Sequence, residues 1–255
     1  MNPDSRQQAY LNAMGIDVWV RRNIMPANAE SAVVETPLQS KPSGATEKTE
    51  NVSLSSDDTA VVNSLDWPEL KQLVGNCQRC ELHATRTQEV FGVGNQQADC
   101  LIVGEAPGAD EDRQGEPFVG RAGQLLNEML NAIGLQREQV YIANILKCRP
   151  PNNRDPKPEE AASCIPYLQR QIELIQPKVI LALGRIAAQR LLQCNTSLAR
   201  LRGQLHQMDT TQCPLIVTYH PAYLLRSPAE KRKAWQDLQF ARNYVAQAME
   251  LERGS

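Results

Sequence analysis

Four short apolar runs, at 101–103, 140–143, 179–183 and 215–218, limit what this chain can fold into more than any other feature. Each is built from β-branched or aliphatic residues and reads as a strand. Helical patterns lie between and after them, at Gly123 to Ile133, Pro158 to Ile175, Arg185 to Leu192 and Pro228 to about Leu251. Strands alternating with helices predict an α/β fold of three αβα layers, with a central four-stranded, mostly parallel sheet joined by right-handed crossovers. Glu105, Asn144, Gly184 and His220 stand just beyond the carboxyl ends of the four strands. Open α/β sheets bind their ligands there, so four loops should converge on one cleft.

The richest of those loops runs from Gly104 to Gly120, GEAPGADEDRQGEPFVG. Its acids, glycines, prolines and single aromatic, Phe118, make it a flexible acidic pocket wall rather than a plain connector. The hydrophobic fraction of 42% is enough for a core, yet the longest apolar stretches are a few residues, too short to span a bilayer. Asp17, Arg21 and Arg22 spoil residues 1–25 as a secretory signal, so a cytoplasmic protein is expected. The net charge of −2 argues against a general polyanion binder. Local basicity survives at Arg226, Lys231, Arg232 and Lys233, a run that reads either as a nucleic-acid face or as a solvated helix start.

Residues 26–63 are rich in Ser, Thr, Ala, Pro and Glu and lack any aromatic residue, the composition of a disordered linker. Residues 1–25 ahead of it carry a compact apolar patch, from Tyr10 and Leu11 to Trp19 and Val20, then Arg21 and Arg22. That patch reads as a docking peptide, or as an arm folded back on its own domain. The main domain is then 64–255, entered by a helix that Ser64 or Asp66 caps, with Pro68 in its first turn.

Cys100, Cys194 and Cys213 fall in or beside predicted core elements and read as small apolar residues. The other four differ: Cys77 and Cys80 form a C-x2-C pair, Cys148 precedes Arg149-Pro150-Pro151, and Cys164 lies on the next helix. Four such thiols suit a tetrahedral set for zinc or an iron-sulfur cluster. Spacing alone puts zinc first, since a lone C-x2-C pair is common and the long gap before Cys148 carries no information.

From about Leu65 onward the chain resembles the family 4 uracil-DNA glycosylases. The resemblance is carried by GEAPG with EDRQGEPFVGRAGQLL, by NILKCRPPNNRDP, by HPAYLLR from His220 to Arg226, and by the cysteine order. It implies a uracil-DNA glycosylase-like fold, a 4Fe-4S cluster on Cys77, Cys80, Cys148 and Cys164, and a monofunctional, monomeric enzyme of base excision repair acting on uracil-containing DNA. Phe118 would stack on the flipped base, Asn144 would read its edge, and Ala106 would line the pocket. His220 would donate to the uracil O2, while Glu105, Glu111 and Asn153 would handle water and the sugar's positive charge. Leu224 and Leu225 would enter the minor groove from a loop, and Arg226 would meet phosphate. Ala106 stands where family 1 enzymes carry an aspartate, and a methyl group activates no water. The competing expectation is a cluster- or zinc-bearing DNA-binding or sensor module without chemistry. Residues 8–22 are somewhat similar to the start of the ψ subunit of the bacterial DNA polymerase III holoenzyme, which would give a clamp-loader contact.

Overall fold

The computed structural model describes residues 61–253. The expected docking peptide and most of the expected linker lie outside these residues. Residues 61–64 are helical, and Val62 is buried in the core.

Six strands form one sheet: β1 (Val93–Gly94), β2 (Cys100–Gly104), β3 (Tyr141–Asn144), β4 (Val179–Leu183), β5 (Leu205–Gln207) and β6 (Pro214–Thr218). Their order is β1-β3-β2-β4-β6-β5. The inner four are parallel and correspond to the four predicted runs, while β1 and β5 pair antiparallel at the edges. Both edge strands are very short and escaped the pattern. The chain leaves β2 for β3 on one side and returns for β4 on the other. That reversal opens a crevice beyond the carboxyl ends of β2 and β4.

The helices are α1 (Trp67–Gly75), α2 (Ala109–Gln114), α3 (Arg121–Ala132), α4 (Pro158–Ile175), α5 (Arg185–Leu191), α6 (Leu198–Leu201), α7 (Pro221–Arg226) and α8 (Lys231–Arg253). Asp66 caps α1, accepting from Glu69 N, and the Glu69 side chain returns the bond to Asp66 N, the reciprocal pattern that satisfies two orphan donors. Alternate residues of each central strand enter two separate cores. Leu101, Val103, Ile180, Ala182, Leu215 and Val217 pack with α1, α4 and α5, whereas Ile102, Leu181 and Ile216 pack with α3 and α8. The strand period of two thus produces the expected three layers. Among the described residues no helix is long and apolar enough to cross a membrane.

Two segments expected as loops are helical. Within 104–120, α2 forms because Glu111 turns back to accept from Gly108 N and acidic residues fill its first turn, where the helix dipole favours them. Between His220 and Arg226, Pro221 opens α7 with its fixed φ and His220 acts as the N-cap, a combination that starts a helix readily. The second change matters for Leu224, which turns inward and is 1% exposed. A buried leucine cannot reach a DNA groove, so only Leu225, 36% exposed, is free to do so.

Candidate active site

A cleft of about 430 Å³ lies beyond the strand ends, lined among others by Glu105, Ala106, Glu111, Phe118, Asn144, Asn153, His220, Tyr223 and Arg226. Every residue expected to bind uracil or to catalyse lines it. Leu224 and Leu225 do not.

Its floor is set by two strand ends. Beyond Asn144, Ile145 N donates to Gly104 O at 3.0 Å and Leu146 N donates to Glu105 O at 3.1 Å. This continuation of the ladder fixes Glu105 and Asn144 side by side. Asn144 is 2% exposed, and its Oδ1 is buried with no hydrogen-bond partner. A buried, unsatisfied carbonyl is costly unless a ligand completes it. Lys147 Nζ, also buried, donates to Asn144 O at 3.1 Å and to Gln171 Oε1 at 2.7 Å, and Gln171 Nε2 donates to Phe91 O at 3.0 Å. This brace was missed in the sequence, where a lysine inside the apolar run NILKC is the one visible sign of it.

Phe118 forms one wall. Its φ of 55° places it in the left-handed region, which is unusual for an aromatic residue and is maintained only where the surroundings dictate it. Glu111 supplies part of that constraint, accepting from Val119 N at 3.0 Å and Gly120 N at 3.4 Å as well as from Gly108 N at 3.1 Å. Arg137 supplies more, its Nη2 donating to Pro117 O at 2.6 Å. A Cβ on Gly123 would overlap the Phe118 carbonyl oxygen, so a glycine is needed there. The ring lies over Gly104 and 5.5 Å from the His220 ring, at an interplanar angle of 31°. Glu111 therefore differs from the water-handling role expected of it. Three backbone N–H groups occupy its carboxylate, which anchors the wall that carries Phe118.

His220 is held in one tautomer. Ala222 N donates to its Nδ1 at 3.1 Å, so the neutral ring carries its proton on Nε2. Burial holds the imidazole down at about 4, with the nearby Arg226 charge adding to the effect. At neutral pH it is an uncharged donor. Glu105 moves the other way: burial pushes its carboxyl up to about 7, Asp155 adds repulsion, and Arg185 opposes both. Asp155 itself is tied to Arg185 at 3.2 Å. On the rim, Asn152 and Asn153 both have positive φ, and Arg149 Nε donates to Asn153 Oδ1 at 2.8 Å. Asn153 is exposed there, aligned with the opening rather than the floor.

The four singled-out cysteines meet at a second, smaller cavity, which Cys77, Cys80, Cys148 and Cys164 all line together with Arg86, Lys147 and Tyr167. Three of the sulfurs already receive a donor: Tyr167 OH to Cys77 at 3.2 Å, Arg86 Nη1 to Cys148 at 3.1 Å, and Lys147 N to Cys164 at 3.3 Å. Burial pushes the Cys164 thiol up to about 12 and raises Cys80 and Cys148 as well. Among the described residues no three His, Cys, Asp or Glu side chains are gathered tightly enough to hold one metal ion. Cys100 and Cys213 are buried elsewhere in the core, in keeping with an apolar role, and Cys194 is only partly buried.

The model of the uracil DNA glycosylase superfamily matches residues 91–239. A type-4 uracil-DNA glycosylase of Archaeoglobus fulgidus is 50% identical over 173 residues, 66% of this chain and 86% of that protein. A type-4 uracil-DNA glycosylase of Thermotoga maritima is 43% identical over 180 residues, covering 69% and 93%. A type-5 uracil-DNA glycosylase of Thermus thermophilus is more distant, at 36% over 118 residues, or 40% and 53%. With its crevice at the sheet reversal and this similarity across most of the described residues, the chain belongs to the uracil-DNA glycosylase superfamily, on the side of the type-4 enzymes.

Proposed function

We infer that this protein is a DNA repair glycosylase that draws uracil out of DNA, hydrolyses its N-glycosidic bond and leaves an abasic site. The observation that carries the reading is Asn144, whose buried, unpartnered Oδ1 faces a cleft also lined by Phe118, His220 and Glu105. The amide speaks for a bound base, and His220 and Glu105 in the same cleft, their pKa values both shifted by burial, favour chemistry over a binding module without it.

The chemistry follows from the groups present. Asn144 Oδ1 accepts from the uracil N3–H and its amide nitrogen donates to O4, a match that cytosine inverts. Phe118 stacks on the base face. As the bond to the sugar lengthens, the sugar gains positive charge and the base becomes an anion. His220 donates Nε2–H to O2, stabilising that anion as a fixed dipole in a dry site. Glu105, ionised, faces the sugar and accepts a proton from the attacking water. Ala106 contributes wall and no proton transfer. Asn153, at the rim, orients the water or the adjacent phosphate, and Arg226 pairs with phosphate. Leu225 takes the groove-filling role alone. Incubation with a duplex carrying one uracil, followed by alkali, should cleave that strand; intact DNA from soluble, fully loaded protein would refute the assignment.

We further propose that Cys77, Cys80, Cys148 and Cys164 hold a 4Fe-4S cluster in preference to zinc. Each thiolate of such a cluster binds a different iron, and all four cysteines line one cavity; the similarity to the family 4 enzymes favours the cluster over zinc. The Arg86 and Lys147 cations beside the sulfurs suit a group whose thiolates are anionic. When bound, the cluster would cross-link the segments before and after Arg149, steadying the rim that carries Asn153, a structural role that needs no electron transfer. Anaerobically purified protein should absorb broadly near roughly 400 nm, and Cys77→Ser should abolish the band; a colourless protein containing zinc would overturn the cluster. A cytoplasmic, monomeric enzyme, tethered to the replication machinery through residues 8–22, completes the proposed reading on the resemblances described above.

A further inference from the structure

We propose that Tyr223 forms a second base-binding surface at the mouth of the cleft, on which the nucleobase flanking the extruded uridine in the same strand stacks. The proposal rests on the uracil-excision reading and extends it to a neighbouring nucleotide.

Three observations single out this side chain. It is 38% exposed, it lines the cleft, and it lies on the same short helix as Arg226, next to Leu224, which faces the core. Its ring is stacked on Tyr219 with centroids 5.2 Å apart and planes 20° from parallel. Behind it the stack is braced. The Arg202 guanidinium lies 4.4 Å from the Tyr219 ring centroid. Arg202 is itself fixed by the buried Asp237 carboxylate at 2.7 Å and by Lys233 O at 2.7 Å. A cation held over one aromatic ring that stacks on another restrains both rings.

An exposed aromatic held this firmly presents a flat π face to whatever enters the cleft. Each nucleobase has such a face, so stacking would accept any neighbouring base. Arg226, which also lines the cleft, lies one helical turn on from Tyr223 and is suited to meet the adjoining phosphate. Leu225 is exposed but does not line the cleft, because successive helical residues project about 100° apart. The two exposed residues therefore divide the work. Leu225 enters the vacated space in the duplex, and Tyr223 supports the base beside it.

The test uses full-length, loaded protein and duplexes in which 2′-fluoro-deoxyuridine replaces the cleavable uridine. 2-Aminopurine, whose emission stacking quenches, is placed at the 5′ flank, the 3′ flank or opposite the uridine. Tyr223→Ala should weaken duplex binding on the order of 10-fold and brighten 2-aminopurine at one flank relative to the wild-type complex. Tyr223→Phe should restore both signals, because the ring rather than the hydroxyl does the stacking. Wild-type affinity and quenching in Tyr223→Ala, or a change confined to the opposite-strand probe, would overturn the proposal. Uracil release by the wild type from an ordinary uridine duplex is run in parallel. Its absence would remove the underlying reading, whereas release with an indifferent Tyr223→Ala removes the stacking surface alone.

Discussion

Gly104→Ala should abolish most activity while leaving the protein folded. A Cβ at this position would overlap Asn144 Oδ1 and approach the Phe118 ring to 2.6 Å. Both groups sit on stiff supports. Asn144 ends a central parallel strand and is braced by Lys147, and Phe118 is held in a left-handed conformation by Glu111 and Arg137 around it. One of the two must yield, and either movement dismantles the base pocket. Misplacement of a substrate-positioning group by about 1 Å costs on the order of 100-fold in rate, so a fall of at least that size in single-turnover uracil release is expected. Thermal unfolding monitored alongside should move by only a few degrees, because the two groups that must shift border an open cleft. Near-wild-type release by a folded Gly104→Ala protein would show that Asn144 and Phe118 do not form the pocket together.

The second large effect concerns Glu105. Burial and the nearby Asp155 raise its carboxyl to about 7, while the His220 imidazole is held at about 4. If Glu105 works as a carboxylate, activity must fall as pH drops through 7, and His220, neutral down to about 4, cannot cause that fall. The acid limb of kcat/KM should therefore sit near 7. Glu105→Gln should lower the rate by about 100- to 10,000-fold, the range for a lost general base, and flatten what remains of that limb. Stability should respond with the opposite sense. A carboxyl whose folded value lies above its unfolded value binds its proton more tightly when folded, so ionisation destabilises the fold as pH rises from about 4.5 through about 7. Glu105→Gln removes that penalty and should unfold at a higher temperature than the wild type at pH 8. An acid limb that survives the substitution unchanged would assign it to another group.

Much of this architecture was legible in the chain. The four inner strands and α4 follow from local pattern, because each buries a continuous apolar face and needs no distant partner to be recognised. Positions at the strand ends bring Glu105, Asn144 and His220 to the cleft, since a parallel sheet fixes where its loops emerge, whereas Gly184, the fourth position expected there, does not line it. What the pattern missed depends on long-range contacts. The edge strands β1 and β5 exist only as antiparallel partners of β3 and β6 and are two and three residues long. The cap that folds α2 commits Glu111 to backbone N–H groups, which removes it from the chemistry its charge suggested. The two leucines of HPAYLLR are alike in sequence, yet a helix turns Leu224 into the core and Leu225 outward. Tyr223, Lys147 and Arg137 were unread because their partners lie on other elements.

The most direct measurement is chromatographic identification of the free base released by purified, loaded protein from duplexes that differ only in carrying uracil or cytosine at one position. The buried Asn144 amide predicts release of uracil and none of cytosine, with uracil release lost in Asn144→Ala. Equal release of both bases, release of neither, or an Asn144→Ala protein as active as the wild type would contradict it.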